Sequence, residues 1–214
     1  MYVPPHFAET DPAALHDFVE AHAFGLLVSQ HGGGPFATHL PFLLDRAAGP
    51  HGTLIGHVAR ANPHWHDLAD APVLAVFTGP HAYVSPTWYE DEPAVPTWNY
   101  VAVHAAGRAE LVDDRDDLRA IVARSVAVFE AGMPTPWRFD PDTTYADRLL
   151  AQIVGFRIVV EKLEGKWKLN QNHPAERRVK VVRALEAAGG ENRQAVAAAM
   201  RRTLPTDDRS VTTR

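Results

Sequence analysis

The order of apolar and polar residues predicts a chain built mainly of β-strands, with helices near its start, in its second half and at its end. Short apolar runs and strand-like alternation dominate the first half, whereas helical spacing of apolar residues marks the helices. Two strands are predicted within residues 25–45, and one each at 52–59, 71–79, 82–89, 97–112 and 152–165. The predicted helices cover residues 12–23, 115–131, 142–151, 175–188 and 192–203, and another helix begins near residue 62.

Consecutive strands favour an antiparallel sheet, closed or sandwiched, over a parallel βαβ array. Gly32, Gly33 and Gly34 join two of these strands, as is typical of a hairpin turn. A phosphate-binding loop would have a lysine and a helix directly after the glycines, and neither is present. The pattern therefore predicts an α+β fold, mainly β.

The composition is that of a globular protein, with 46% hydrophobic and 22% charged residues among 214. The chain has no cysteine, which excludes disulfides, thiol nucleophiles and cysteine-ligated zinc. No apolar run approaches the roughly 20 residues of a membrane-spanning helix, and the first residues lack the features of a secretory signal. We expect a cytoplasmic protein without a membrane partner.

Charge is distributed unevenly along the chain. Residues 1–174 carry a net charge of −9, whereas residues 175–204 carry +4. The basic residues of that second stretch are Arg177, Arg178, Lys180, Arg183, Arg193, Arg201 and Arg202. They could contact DNA phosphates, but basic residues on amphipathic helices are also typical of a solvated surface. Both interpretations stay open.

Histidines are concentrated at one predicted junction between a strand and a helix, where His57, His64 and His66 lie, with His104 farther along. A zinc site needs three or four ligands with supporting groups around them. The spacing does not require such a site, and histidines at junctions are more often structural. We therefore predict no metal site.

The segment GHVARANPHW, residues 56–65, contains that junction. A helix N-terminus favours an anion, and the guanidinium of Arg60 can bind two phosphate oxygens. Asn62 can equally cap the helix while Arg60 pairs with an exposed acid. The residues alone leave a phosphate site and a purely structural junction equally open.

Two later segments combine aromatic, basic and amide side chains: VPTWNYVAVH at 95–104 and EGKWKLNQN at 164–172. In the first, alternation places Trp98 and Asn99 on opposite faces of a strand. Aromatic residues there could wall a planar ligand or pack in a core. In the second, Lys166 and Lys168 share a face before polar residues that are also typical of a solvated turn.

Five segments, taken in order, resemble the PaiB-type family of FMN-binding negative transcriptional regulators. This family lies within the wider group of flavin-binding split barrels related to pyridoxamine-phosphate oxidase. The segments are MYVPPHF (1–7), GHVARANPHW (56–65), FTGPHAYVSPTWY (77–89), VPTWNYVAVHAAG (95–107) and VGFRIVVEKLEGKWKLNQN (154–172). They span most of residues 1–172.

The resemblance implies a six-stranded antiparallel split barrel with peripheral helices and a C-terminal helix pair, forming a homodimer. It implies FMN at the subunit interface, in preference to the haem or deazaflavin that other barrels of the group bind. The phosphate would be held at His57, Ala59, Arg60 and Asn62, and the ring would lie along Thr38, His39 and Leu40. Further candidates, which the other subunit could contribute, are Trp98, Asn99, Lys166, Lys168 and Gln171.

By the same resemblance we expect a transcriptional repressor whose basic C-terminal helices contact a DNA operator. The alternative is an FMN-dependent oxidoreductase acting on a small molecule, because hydride chemistry belongs to the cofactor. The expected organisation is a split-barrel domain at 1–172, a helical extension at 173–204 and a flexible tail at 205–214.

Overall fold

Hydrogen bonding gathers the predicted strands into one mainly antiparallel sheet in the computed structural model, which describes residues 1–205. The strand order is β3-β2-β6-β7-β8-β5-β4, and β1 pairs with β8 beside this path. The strands are β1 Ala8–Glu9, β2 Phe24–His31, β3 Gly34–Pro41, β4 Leu43–Asp45, β5 Thr53–Ala59, β6 Pro72–Val84, β7 Thr97–Val112 and β8 Ile153–Lys168. The α+β, mainly β class is confirmed.

The structure has eight strands within residues 1–205, where six were expected. The two shortest, β1 and β4, contain two and three residues. Strands this short carry no periodicity that a sequence pattern can reveal. They form because longer neighbours offer them a hydrogen-bonding edge: β1 pairs with β8, and β4 pairs with β5.

The helices begin and end close to the predicted positions. They are α1 Pro12–Ala21, α2 Arg115–Glu130, α3 Thr144–Leu150, α4 Ala175–Ala188 and α5 Glu191–Arg202. The side chain of Asp114 caps α2, and that of Thr143 caps α3. Gly189 and Gly190, both at positive φ, separate α4 from α5.

Two local expectations were wrong. The helix predicted from residue 62 is only a 3-10 turn, Pro63–Asp67, which Asn62 caps with its side chain. The strands predicted at 71–79 and 82–89 are one strand, β6, followed by another 3-10 turn, Pro86–Tyr89. Gly79 and Pro80 are typical of a break between strands, but both lie within β6, which shows that tertiary pairing overrides local propensity here.

The described chain forms two compact units. The first comprises Met1–Asp11, Thr78–Val103 and the chain from Glu164 onward, and the second comprises Pro12–Phe77 and His104–Leu163. The predicted boundary at residue 172 divides the chain into consecutive segments, whereas each of these units combines segments that are distant in sequence. The boundary stays a prediction. Of the predicted tail, residues 206–214 lie outside the described residues.

Each unit has its own apolar core. In the second unit, Phe42 makes edge contacts with Phe77 and Phe156, at 5.3 and 6.0 Å between ring centroids. In the first unit, α4 and α5 contribute fully buried Leu185 and Met200. Helices α4 and α5 are therefore part of a core and not an appendage on a surface.

One glycine allows a close approach of two strands in the second unit. A Cβ atom added to Gly107 on β7 would lie 2.0 Å from the carbonyl oxygen of Val159 on β8. Only a residue without a side chain fits at this position. No helix within residues 1–205 is both long and apolar enough to cross a membrane.

Candidate functional site

The outer edge of β3 is unpaired within the described residues, because β3 ends the strand order. An unpaired edge presents backbone N–H and C=O groups that need another partner. Thr38, predicted to lie along the flavin ring, is in the middle of this strand, and the 3-10 turn Pro63–Asp67 packs beside it. The structure thus brings Thr38 close to the end of β5.

A buried imidazole connects these elements. His64, in the 3-10 turn, lies 2.7 Å from Ser29 Oγ on β2 through Nε2, and 2.8 Å from Thr38 Oγ1 on β3 through Nδ1. Asn62 Nδ2 donates to the same Thr38 oxygen at 3.1 Å. One proton arrangement satisfies all these partners: Thr38 donates to Nδ1, and the Nε2 proton is donated to Ser29.

His64 is fully buried and packs against Phe36, with ring centroids 4.9 Å apart. Burial lowers its pKa, and His31 adds to this effect while Asp67 opposes it. The imidazole is therefore neutral near pH 7, as the hydrogen-bond arrangement requires. A neutral histidine in this network holds β2, β3 and the turn together.

Asn62 has the structural role that the sequence left open. Its side-chain oxygen accepts the N–H of His64 at 3.0 Å, and its own N–H is donated to the carbonyl of Ala59. The N–H of Arg60 is donated to the carbonyl of Gln152. Some of the backbone N–H groups that could bind a phosphate at this junction therefore already form hydrogen bonds within the second unit.

Arg60 is also engaged. Its Nε donates to the carbonyl of Ala151 at 3.0 Å, and its Nη2 donates to the carbonyl of Ile153 at 2.9 Å. Nη2 also forms an ion pair with the well-exposed carboxylate of Asp113. The two carbonyls hold the guanidinium in place, whereas the exposed pair with Asp113 is weak and open to replacement by another anion.

The other predicted residues of the second unit differ in exposure. Leu40 is buried in the core, whereas His39 and Ala59 are exposed. The His39 ring lies nearly parallel to that of Phe24, at 6.3 Å between centroids. His57, on β5, faces a cavity toward α3 and makes no hydrogen bond to the Thr38 network.

The remaining candidates lie in the first unit. Lys166 is buried, donates to the carbonyl of Tyr2 at 3.0 Å, and lies over the rings of Tyr2 and Tyr100. Lys168 donates to the Thr97 hydroxyl and to the carbonyl of Trp98. Burial, with a further effect from Lys166, lowers the pKa of Lys168.

Gln171 and Asn99 have local partners in the first unit. Gln171 closes a turn, accepting the N–H of Leu169 and donating to the carbonyl of Trp167. Asn99 is fully buried against α5, with Nδ2 3.3 Å from Met200 Sδ, and its Oδ1 has no hydrogen-bond partner within the described residues. Trp98, by contrast, exposes 54% of its surface.

The basic residues of α4 and α5 are largely paired within the first unit. Arg177 pairs with Asp91, Lys180 with Glu90 and Arg201 with Glu186, at 2.7, 3.1 and 2.8 Å. Arg178 is buried and donates to Thr203. Arg183 is exposed and has no such partner within residues 1–205. Most of the positive charge in this region thus stabilises the fold.

Sequence reasoning did not find the roles of Ser29 and Asp113. Ser29 carries no motif that singles it out, and only the position of β2 beside the 3-10 turn brings its hydroxyl to His64. Asp113 lies 53 residues from Arg60 along the chain, and no local pattern connects the two residues. His64 was weighed as a metal ligand, but residues 1–205 contain no group of three His, Asp or Glu side chains that could hold a metal ion.

Comparison with known proteins identifies the family of this chain. The family model described as "Putative FMN-binding domain" matches residues 1–162. The chain belongs to this family. It is also 35% identical over 202 residues to protease synthase and sporulation protein PAI 2 of Bacillus subtilis, covering 94% of this chain and 96% of that protein. The predicted PaiB-type membership is confirmed.

Solved structures support the fold alone, because their sequences are distant. The flavocytochrome Anf3 from Azotobacter vinelandii is similar with a TM-score of 0.60 at 15% identity, over 78% of this chain and 72% of that chain. The FAD and heme binding protein from Mycobacterium smegmatis has a TM-score of 0.56 at 20% identity, over 86% and 80%. The chain thus shares the fold of these two proteins, in agreement with the split-barrel fold that the resemblance implies.

The residues present fit a flavin mononucleotide in their chemistry. The free edge of β3 offers backbone groups to a heterocycle with amide-like edges, and Thr38 and Asn62 offer a hydroxyl and an amide. Arg60 is pre-positioned by two backbone carbonyls for an anion. Asp113 is the one group in this set that opposes phosphate binding. Its carboxylate forms an ion pair with the Arg60 guanidinium and is negatively charged, as a phosphate is.

The buried imidazole predicts a pH dependence of stability. Because the pKa of His64 is lower in the folded chain, the unfolded chain binds its proton more tightly. The free energy of unfolding therefore falls as the pH drops below about 6.5. His64→Phe should reduce this slope by up to about 1.4 kcal/mol per pH unit in denaturant titrations between pH 7 and 5.

Thr38→Val is the matched control, since it removes a hydrogen bond but leaves the imidazole to titrate. It should lower stability at every pH and keep the slope. An unchanged slope in His64→Phe would show that the buried imidazole is not a source of the acid sensitivity. His22, His57 and His173, whose pKa values burial also lowers, would then account for it.

Proposed function

We propose that this protein binds FMN along the free edge of β3 and acts as a flavin-binding transcriptional regulator of the PaiB type. Family membership over residues 1–162 is the observation that carries the proposal. The proposed flavin contacts in the second unit are Thr38, His39, Leu40, Ala59, Arg60 and Asn62. His57 is not included, because its imidazole faces the cavity toward α3.

In this proposal Arg60 binds the phosphate, with its side chain held by the carbonyls of Ala151 and Ile153. The His64 network keeps Thr38 at the strand edge, where its hydroxyl and the neighbouring backbone groups orient the ring. When bound, FMN supplies electron or hydride transfer. Lys166 and Lys168 enter through the partner subunit, where their positive charge would favour a reduced, anionic ring.

Two substitutions at one ion pair test the phosphate contact in opposite directions. Arg60→Ala should weaken FMN binding by roughly 1.5 to 3 kcal/mol, because a charge-assisted contact is lost. Asp113→Asn should strengthen it, because the competing carboxylate is gone. Quenching of flavin fluorescence during titration of FMN measures both affinities, beside the absorption spectrum of the purified protein.

Arg46→Ala is the control, since Arg46 forms ion pairs with Asp17 and Glu20 elsewhere in the same unit. Its affinity should equal that of the unmodified protein. An Arg60→Ala variant with unchanged affinity would remove Arg60 from the site. A protein that neither contains nor binds FMN would overturn the flavin proposal. An absorption band of haem or a deazaflavin would then identify one of those cofactors, and a colourless protein would indicate a scaffold without a cofactor.

We also propose that the protein is a homodimer. One face of the sheet in the second unit carries apolar side chains that are only partly covered, from paired positions on β2, β3 and β6. They are Phe24, Leu26, Val28, Ala37, Leu74 and Val76. Residues directly opposite in an antiparallel pair point to the same side, and an apolar face of this kind marks an interaction surface.

Phe24, which exposes 68% of its surface, gives the test of the dimer. The unmodified protein should have twice the 23.5 kDa chain mass in sedimentation equilibrium, and Phe24→Asp should shift it toward one chain mass. Val95→Asp, at an exposed site in a loop of the first unit, should leave the dimer intact. A monomeric unmodified protein, or a dimeric Phe24→Asp variant, would contradict this interface.

The alternative function, a flavin-dependent oxidoreductase, is favoured by the ion pairs of α4 and α5. Arg177, Lys180 and Arg201 are neutralised by acids, which leaves few cations for an operator. Truncation at residue 174 would remove buried core residues, so point substitutions are the better experiment.

The double substitution Arg183→Glu and Arg193→Glu tests the DNA contact. Both side chains are exposed, and Arg193 donates to the carbonyls of Ala188 and Gly189 at the end of α4. If the helices bind DNA, fluorescence anisotropy should show that the variant has a lower affinity for a DNA duplex. The dependence of that affinity on salt concentration should also be weaker. FMN binding should be unchanged. If the unmodified protein binds no duplex at low salt but its FMN is reduced by NADH or NADPH, the oxidoreductase is the better assignment.

A further inference from the structure

A cavity of about 520 Å³ lies in the second unit, on the side of β5 and β8 that faces α2 and α3. Its volume is in the range of small-molecule sites. The walls are almost entirely apolar, and the aromatic and aliphatic residues that dominate them are Trp137, Phe139, Tyr145, Leu149, Leu150 and Ile153. The FMN proposal does not use this cavity.

Three of these side chains are far more exposed than apolar residues in a finished core. Trp137 exposes 60% of its surface, Tyr145 64% and Leu149 48%. Large apolar side chains grouped around one concave surface are typical of a ligand site. A ligand in the cavity would cover them, which would supply the main driving force for binding.

Hydrogen bonds at its middle and near its end hold the loop that forms the outer wall in place. It connects α2 to α3, and the N–H of Trp137 is donated to the carboxylate of Glu130 at 2.7 Å. Arg119 donates to the carbonyl of Pro141 and to the Asp142 carboxylate, both at 2.6 Å. A long connection without secondary structure is often a functional loop, and these contacts place Trp137 and Phe139 over the cavity.

His57 provides a polar group at the floor of the cavity. It lies on β5 opposite Gly155 of β8, and its ring nitrogens make no hydrogen bond within residues 1–205. Burial lowers its pKa, so the ring is neutral near pH 7 and offers one donor and one acceptor. A half-buried imidazole without a partner is costly unless a ligand or water completes its hydrogen bonds.

The charges around the cavity favour a neutral ligand. Arg138 and Asp140 are the charged residues of the lining, they carry opposite signs, and both are exposed. No side chain of the lining places an unbalanced charge against the apolar walls. From the volume, the aromatic walls and the single imidazole, we propose that this cavity binds a neutral aromatic small molecule that forms a hydrogen bond with His57.

The test compares two probes of the same shape, 2-naphthol and 2-methylnaphthalene, by isothermal titration calorimetry. A purely apolar cavity binds the methyl compound more tightly, because its methyl group is the more hydrophobic substituent. The unmodified protein should instead prefer 2-naphthol by about fivefold or more, the size of one ordinary hydrogen bond. His57→Phe keeps an apolar ring at this position and should reverse the preference.

A second pair of variants locates the probe without altering the floor. Leu149→Asp puts a charge into the wall at an exposed helix position and should abolish binding of both probes. Val128→Asp puts the same charge at an exposed position of α2 outside the lining and should bind as the unmodified protein does. Unfolding transitions of all variants identify any that fail to fold.

The proposal does not depend on the flavin. Arg60→Ala should retain 2-naphthol binding, while His57→Phe and Leu149→Asp should retain FMN binding. Displacement of 2-naphthol by FMN would show that the cavity is part of the flavin site and would overturn a separate ligand. The proposal also fails if Leu149→Asp binds the probes normally, or if the unmodified protein and His57→Phe share one preference.

Discussion

The buried imidazole of His64 is the interaction on which the candidate flavin site depends. It joins Ser29 of β2 to Thr38 of β3 from a turn that follows β5, so that one side chain connects three segments that are distant in sequence. Because the ring is fully buried, losing either partner would leave an unpaired polar group in the core. The unpaired edge of β3 keeps its position beside the end of β5 through this network, and Asn62 adds a donor to the same hydroxyl.

The charged groups are paired differently in the two units. Arg60 is held by two carbonyls and a replaceable carboxylate, an arrangement that orients a cation without burying a charge pair. In the first unit, by contrast, Arg177 and Arg201 meet acids and stabilise the packing of their own unit. Net charge along the sequence therefore says little about which surface attracts an anion, because pairing in the folded chain decides which cations stay available.

The proposed flavin site and the cavity beside His57 lie in the same unit and differ in their chemistry. The strand edge offers backbone groups and a guanidinium, which suit a phosphate-bearing heterocycle. The cavity offers aromatic walls and one neutral imidazole, which suit an uncharged ring. A protein with both would respond to a small molecule as well as to a flavin.

The sequence by itself determined the fold class, the long strands and helices, and the family, because these depend on periodic patterns and on ordered segments such as GHVARANPHW. It also pointed to Thr38, Arg60 and Asn62. Only the tertiary structure decided that β6 is one strand, that Arg60 forms an ion pair with Asp113, and that His57 lines a cavity beside α3. Each of these depends on which segments pair and pack together, and contacts between residues far apart in the chain leave no local pattern from which they could be read.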